Sequence, residues 1–177
     1  DHSYVDQPTG YTMLHAIKVP RDGGDTEWTS MVKAYDSLSD NMKRRLDGLV
    51  GIHSFNRLKN RRLTVPVRHG DDPDYYRRSP PDSHHPMVRT HPVTGRKALY
   101  ISPRFTIGIK DLDNSEAQNL LDELFAHIRD RDFVYRHCWT VGDLLLWDNR
   151  ATIHLACGGV PEGQHRRMHR TTVLGEI

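Results

Sequence analysis

The sequence predicts a mainly β chain with two flanking helices, an antiparallel sandwich or jelly roll. Three observations carry this. Six short segments have strand character, and several are separated by Gly, Pro, Asn or Asp: Thr12–Val19, Ala98–Ser102, Phe133–Trp139, Asp143–Trp147, Ala151–Ala156 and Arg167–Leu174. Only two segments carry a helical period. Strands and helices do not alternate, as a doubly wound parallel sheet would require. A length of 177 residues suits one domain with a substantial core.

Taken in order, the first strand runs into a turn-rich break, Val19–Thr26 (VPRDGGDT). Beyond it Leu38, Met42, Leu46 and Leu49 recur at helical spacing, with Ser39 placed as an N-cap. Between Asn60 and Pro92 the composition changes. HGDDPDYYRRSPPDSHHP is polar, proline-bearing and almost without aliphatic residues. A stretch of this kind is expected to be a mobile lid or loop over residues 60–92. The second helix is announced by Ser115 and Gln118 at capping-box spacing, and by the stripe Leu120, Leu121, Leu124, Phe125 and Ile128. The remaining strands follow at short intervals.

Composition excludes several classes. Lys plus Arg number 25 and Asp plus Glu 23, a net charge of +2 that gives no electrostatic case for nucleic acid. No stretch approaches the roughly 20 apolar residues needed to span a bilayer, so no membrane partner is expected. Two cysteines, Cys138 and Cys157, cannot build a multi-bridge framework, and a reduced, cytoplasmic setting follows. Internal repeats are absent. Twelve histidines are the one surplus, open to metal binding, acid–base chemistry or neither.

The C-terminal strands are densest in unusual residues. In GDLLLWDNRATIHLA, from Gly142 to Ala156, His154 falls on a predicted strand among apolar neighbours. A lone histidine there reads first as a core residue bonded to a backbone carbonyl. In HRRMHRTTVLG, from His165 to Gly175, alternation puts Arg166, Met168, Arg170 and Thr172 on one face. Two arginines on one half-buried face are costly unless an anion meets them. A structural Asp or Glu satisfies them, and so does a pocket that grips a carboxylate or sulfonate. At the other end Asp1-His2-Ser3 opens the sequence and Gly23-Gly24-Asp25-Thr26 follows a strand; alone, Asp1 reads as a solvated residue and GGDT as only a turn.

Together these residues carry a resemblance. The order DHSYVDQP, VPRDGGDTEW, VRTHPVTGRKALYIS, GDLLLWDNRATIH, RRMHRTTVLGE resembles the taurine dioxygenase/2,4-dichlorophenoxyacetate dioxygenase family through nearly all of the sequence. These are iron(II)- and 2-oxoglutarate-dependent oxygenases on a double-stranded β-helix, a cupin-like jelly roll. The family holds iron with a His-x-Asp pair and a distant His, a facial triad with open positions. Asp1 matches the Asp of that pair and His154 the distant His, which makes both of them catalytic metal ligands. Arg170, in MHRTT, matches the arginine that grips the far carboxylate of 2-oxoglutarate, and Thr26, in GGDT, the threonine that assists it. Arg166 matches the position that takes the substrate's anionic group, and Trp28 an aromatic residue beside the metal pocket.

The first His of the pair is expected two residues before Asp1, ahead of the sequence as given. The family also has an N-terminal section, so residues 1–177 are expected to be a single catalytic domain lacking it. The implied reaction consumes O2 and 2-oxoglutarate, releases succinate and CO2, and hydroxylates a small organic anion. Alkylsulfonates, sulfate esters and phenoxyalkanoates are the branches in view, and the resemblance implies a homo-oligomer, dimer or tetramer. Beside this stand a non-catalytic jelly-roll module that binds a metal or anion, and a metal-dependent hydrolase or isomerase on the same fold.

Other residues are expected in quieter roles. His84, His85 and His91 read as surface residues of the polar stretch, His15 and His53 as core or wall, and His169 as packing. Asp148 and Asn149 are expected to hold the turn into the His154 strand. Cys138 and Cys157 read as small buried hydrophobes, and Tyr4 and Phe105 as substrate-wall aromatics. Arg96 reads as a pocket or surface arginine, and Lys59–Arg62 as a solvated face.

Overall fold

A computed structural model describes residues 1–55 and 81–175. Six strands form two antiparallel three-stranded sheets that face each other. In the first, β11 (Arg167–Leu174), β1 (Thr9–Lys18) and β9 (Leu144–Asp148) lie in that order. In the second, β10 (Thr152–Ala156), β2 (Thr26–Ser30) and β8 (Val134–His137) do the same. The chain crosses between the sheets from β1 to β2, from β8 to β9, and twice more up to β11, which is the winding of a jelly roll. Ala16, Trp28, Trp139 and Trp147 fill the space between them, with Leu14, Leu145 and Met168 against them. Large aromatic rings suit this gap because each buries more apolar surface than an aliphatic chain.

Inserted between β2 and β8 are the helices and a third sheet. Helix α1 (Met31–Asp36) begins at Ser30, whose hydroxyl accepts from Lys33 N at 3.3 Å. Helix α2 (Asp40–Leu46) begins at Ser39, as its position predicts, with Met42 N donating at 3.2 Å. Strands β4 (Ser83–Pro86), β3 (Val50–His53) and β7 (Thr106–Ile109) form the third sheet, and β5 (Val88–Thr90) pairs with β6 (Lys97–Leu99). Helix α3 (Asn114–His127) buries Leu120, Leu121 and Leu124 in a second core shared with Met31, Val32, Met87 and Leu99. A 3-10 turn, Arg131–Phe133, leads into β8.

The six predicted strands all form, with ends moved by a few residues. Three expectations change. The cap of α3 is Asp113, whose carboxylate takes Ser115 N at 2.8 Å and Ser115 Oγ at 2.6 Å, so Ser115 lies inside the helix. Residues 83–90 of the proline-bearing stretch are two strands; residues 60–80, and Lys59–Arg62, lie outside the described residues. The cysteines are not buried hydrophobes: Cys138 is exposed and Cys157 partly so, at the surface flanking Asp25. Among the described residues no helix is long and apolar enough to cross a membrane.

Candidate active site

The irregular segment ahead of β1 brings Asp1 against the end of the two-sheet barrel. Thr12 on β1 donates its hydroxyl to Asp1 Oδ2 at 2.8 Å. Asn149, buried in the turn between β9 and β10, donates Nδ2 to Thr12 Oγ1 at 2.8 Å. Its Oδ1 accepts from Trp147 Nε1 at 2.9 Å and from Asp1 N at 3.2 Å. The turn role expected of Asn149 therefore extends to the site itself. His154 faces Asp1 across the barrel end, Nε2 to Oδ1 3.7 Å, with its ring 5.0 Å from that of Trp147.

That pair has the chemistry of two metal ligands. Burial pushes the pKa of His154 down to about 3, and the positive charges of Arg170 and Arg104 add to it. The imidazole is therefore neutral near pH 7, with a lone pair to offer, and it faces a hard carboxylate oxygen. Both side chains are mostly shielded, at 26% and 12% exposure. Among the described residues no third His, Cys, Asp or Glu completes a cluster with them.

The arginines separate. Arg170, on β11 opposite Leu14, reaches Asp1 Oδ2 with Nη2 at 3.3 Å. Arg166, just before β11, donates Nε to Gly24 O at 2.7 Å and Nη2 to Thr26 Oγ1 at 3.2 Å. Thr26 thus sits with Arg166 and not with Arg170, the partner that the resemblance assigned to it. The reason is the GGDT turn. Gly23 and Gly24 both adopt positive φ, 72° and 75°, and a Cβ on Gly23 would lie 2.0 Å from Gly159 O. Only glycine lets the turn lie against the Gly158–Gly159 loop, and this presents the Gly24 carbonyl to the Arg166 guanidinium. Trp139 Nε1 also donates to Thr26 Oγ1 at 3.0 Å, which leaves the threonine's own hydroxyl hydrogen to donate elsewhere.

Trp28 is the cross-strand partner of His154, but its ring is buried between the sheets against Trp139 and Trp147. It lines a cavity of about 430 Å³ with Tyr135, Leu145 and Trp147, and its Nε1 is buried with no hydrogen-bond partner among the described residues. Tyr4 packs against Phe55 and Phe105, at 4.8 and 4.9 Å.

Several histidines differ from expectation. His85 and His91 are buried, at 5% and 7% exposure, while His84 is exposed as read. His85 points inward because β4 alternates and Ser83 and His85 share its inner face. The His91 ring accepts two backbone N–H groups at Nδ1, from Val93 and Thr94, so its proton sits on Nε2 and goes to Asp148 Oδ2 at 2.9 Å. Asp148 also takes Arg150 through both oxygens. Burial alone would raise the Asp148 pKa, but the hydrogen bonds from Arg150 and His91 hold it below the usual carboxylate range. His53 is fully buried as expected, whereas His15 and His169 are exposed neighbours on the outer face of the first sheet. Arg96 makes a surface pair with Asp36 at 2.7 Å. Their polar character hid His85 and His91 in the sequence, because a hydrogen-bonded core histidine has the same letter as a solvated one.

Comparison with known proteins agrees with this fold. The family described as taurine catabolism dioxygenase TauD, TfdA matches residues 1–172. The chain is 40% identical over 157 residues to the alpha-ketoglutarate-dependent 2,4-dichlorophenoxyacetate dioxygenase of Cupriavidus pinatubonensis, covering 87% of this chain and 52% of that protein. It is 32% identical over 178 residues to the alpha-ketoglutarate-dependent sulfonate dioxygenase of Saccharomyces cerevisiae, covering 99% and 41%. Among solved structures, a taurine dioxygenase from Burkholderia xenovorans superposes with a TM-score of 0.83 at 34% identity, covering 99% of this chain and 55% of that one. AAD-2 in complex with Mn(II) and N-oxalylglycine gives 0.85 at 34% identity, covering 99% and 67%. The chain spans about half the length of the curated relatives it matches. With the jelly-roll winding, the Asp1–His154 pair and a family match over nearly every residue, the chain belongs to the TauD/TfdA family of dioxygenases.

Proposed function

We propose that the protein is an Fe(II)- and 2-oxoglutarate-dependent dioxygenase that hydroxylates a small organic anion, of the alkylsulfonate, sulfate-ester or phenoxyalkanoate type. The observation that carries the reading is a neutral His154 and the Asp1 carboxylate 3.7 Å apart, with the Arg170 guanidinium 3.3 Å from that carboxylate. Asp1 and His154 would hold iron(II), with a third protein ligand supplied two residues before Asp1. When bound, the metal supplies oxygen activation coupled to oxidative decarboxylation of 2-oxoglutarate to succinate and CO2. Relatives named as alpha-ketoglutarate-dependent dioxygenases favour this over a non-catalytic module.

The chain's own residues do the positioning. Arg166 and Thr26 together form a carboxylate clamp. Arg166 supplies the positive charge, Thr26 offers its hydroxyl hydrogen, and Gly24 and Trp139 hold both in place. We assign the far carboxylate of 2-oxoglutarate to this clamp. Arg170, beside Asp1, takes the anionic group of the substrate close to the metal, so the two arginines exchange the roles that the motif alignment gives them. Trp28, the cross-strand partner of His154, supports that strand from between the sheets and lines the adjoining cavity.

Anaerobic titration of the full-length protein with iron(II) and 2-oxoglutarate tests the reading, through the visible charge-transfer band of the chelate. The band requires both ligands and disappears in H154A. In R166A it needs much more 2-oxoglutarate, while R170A leaves that requirement unchanged and raises the KM of the anionic substrate. A parent protein with no band at saturating iron and 2-oxoglutarate overturns the dioxygenase reading. The reverse pattern for the two arginines restores the roles given by the alignment.

A further inference from the structure

The segment that carries Asp1 is braced from behind by two buried histidines, and we propose that His53 and His85 are positioning residues for the metal carboxylate. This rests on the metal reading of Asp1 and His154. Residues 1–8 belong to no strand or helix, and His2 adopts a positive φ of 57°. A backbone bond from Val5 N to His2 O at 3.1 Å closes a turn there. Nothing in a sheet ladder holds this turn, so side chains must.

They come from the third sheet. His85 Nε2 lies 3.0 Å from Val5 O, and since a carbonyl only accepts, Nε2 carries the hydrogen. His53 Nδ1 lies 3.0 Å from Ser3 Oγ. The two imidazoles meet edge to face at 5.3 Å, and both pack on Tyr100, at 5.7 and 5.3 Å. Arg89 covers the Tyr100 ring from 4.7 Å. Gly51 makes room, since a Cβ there would stand 3.3 Å from His53 Nε2. Strands β3 and β4 set the spacing: Gly51 pairs with His85, and His53 with Ser83.

Two imidazoles at 0% and 5% exposure cost more to bury than a pair of aliphatic side chains of similar volume. Burial holds both below the ordinary histidine range. What they provide, and an aliphatic pair would not, is two directed contacts on the turn, at Ser3 and Val5, two and four residues after Asp1. A metal site tolerates about 0.5 Å of misplacement in its ligands, and groups behind the ligands set that tolerance. The third sheet, which takes no direct part in the site, acquires through this contact a role in setting iron affinity.

The test is anaerobic iron(II) titration of the full-length protein at saturating 2-oxoglutarate, read by the same charge-transfer band, alongside thermal unfolding of the metal-free protein. H85A is expected to weaken iron binding about 10-fold or more, with 2-oxoglutarate affinity at saturating iron unchanged. H85Q, whose amide N–H reaches near the Nε2 position, recovers most of the loss. S3A, a mild change that removes the Nδ1 partner of His53, shifts iron affinity the same way and keeps the inference testable if H85A does not fold. H84A, altering the exposed neighbour, leaves iron binding as in the parent. Should H85A and S3A lower the unfolding temperature while iron affinity stays within twofold of the parent, the histidines are ordinary core residues and the proposal falls. Absence of the band in the parent overturns the dioxygenase reading instead, so the two failures are separable.

Discussion

Asn149 ties three parts of the site together: the Trp147 indole, the Thr12 hydroxyl and the Asp1 backbone. N149A would leave two buried donors without partners, at a cost of about 1–3 kcal/mol each before relaxation. The expected result is a lower unfolding temperature together with weaker iron binding, measured by thermal denaturation and by metal titration. An unchanged unfolding temperature would mean that water satisfies both groups. For the clamp, T26V keeps the volume and removes the hydroxyl. Losing one hydrogen bond to a charged partner is worth about 1.5–3 kcal/mol, so 2-oxoglutarate affinity should fall by roughly 10- to 100-fold. Isothermal titration with iron or manganese present checks it. Motif order singled out Thr26, Asp1 and His154 in the sequence, but not the partner of Thr26. Alternation along one strand places Arg166 and Arg170 on the same face and says nothing about which turn each guanidinium meets.

Among the elements, the GGDT turn couples backbone conformation to the proposed carboxylate clamp. G23A puts a methyl group 2.0 Å from Gly159 O, on a residue already at positive φ, so one of the two loops must move. Arg166 is bonded to that turn at Gly24, and the clamp moves with it. The expected outcome is a raised KM for 2-oxoglutarate with little change in KM for the substrate, measured by succinate release. At the far side, D113A removes the α3 cap and should lower stability modestly without touching kinetics, read by denaturant unfolding. Elements with alternating apolar letters were visible in the sequence. Helix α1 was not, because six residues carry too few turns to show a period, although Ser30 caps it and Met31, Val32, Ala34 and Tyr35 are buried. Strands β4 and β5 were hidden by their polar composition, since Ser83 and His85 face inward through hydrogen bonds and ring contacts that composition does not reveal.

At the scale of the molecule, buried histidines make stability depend on pH. His53 is pushed down to about 3 by burial, then by the charges of His85 and Arg89, and His85 is lowered as well. The unfolded chain therefore binds more protons than the folded one below the ordinary histidine pKa of about 6.5. Stability is full above that value and is lost as pH falls toward the lowered one. His53 alone contributes about 2 kcal/mol of that loss by pH 5. The metal-free protein should unfold at a clearly lower temperature at pH 5 than at pH 7, and the difference should shrink in H53L. An equal difference in H53L would assign the acid lability to other groups.

Taken by itself, the sequence determined the mainly antiparallel sheet, the two longer helices and the motif order that marks the family. These are local or linear properties: period, cap chemistry and residues in sequence. Tertiary structure decided what depends on segments far apart in the chain meeting. It set Thr26 against Arg166, brought Asn149 to Asp1 from 148 residues away, and seated His53 and His85 behind Ser3 and Val5. The alternation of a strand fixes the face of a side chain, but the partner on that face is chosen by how the strands and turns fold together.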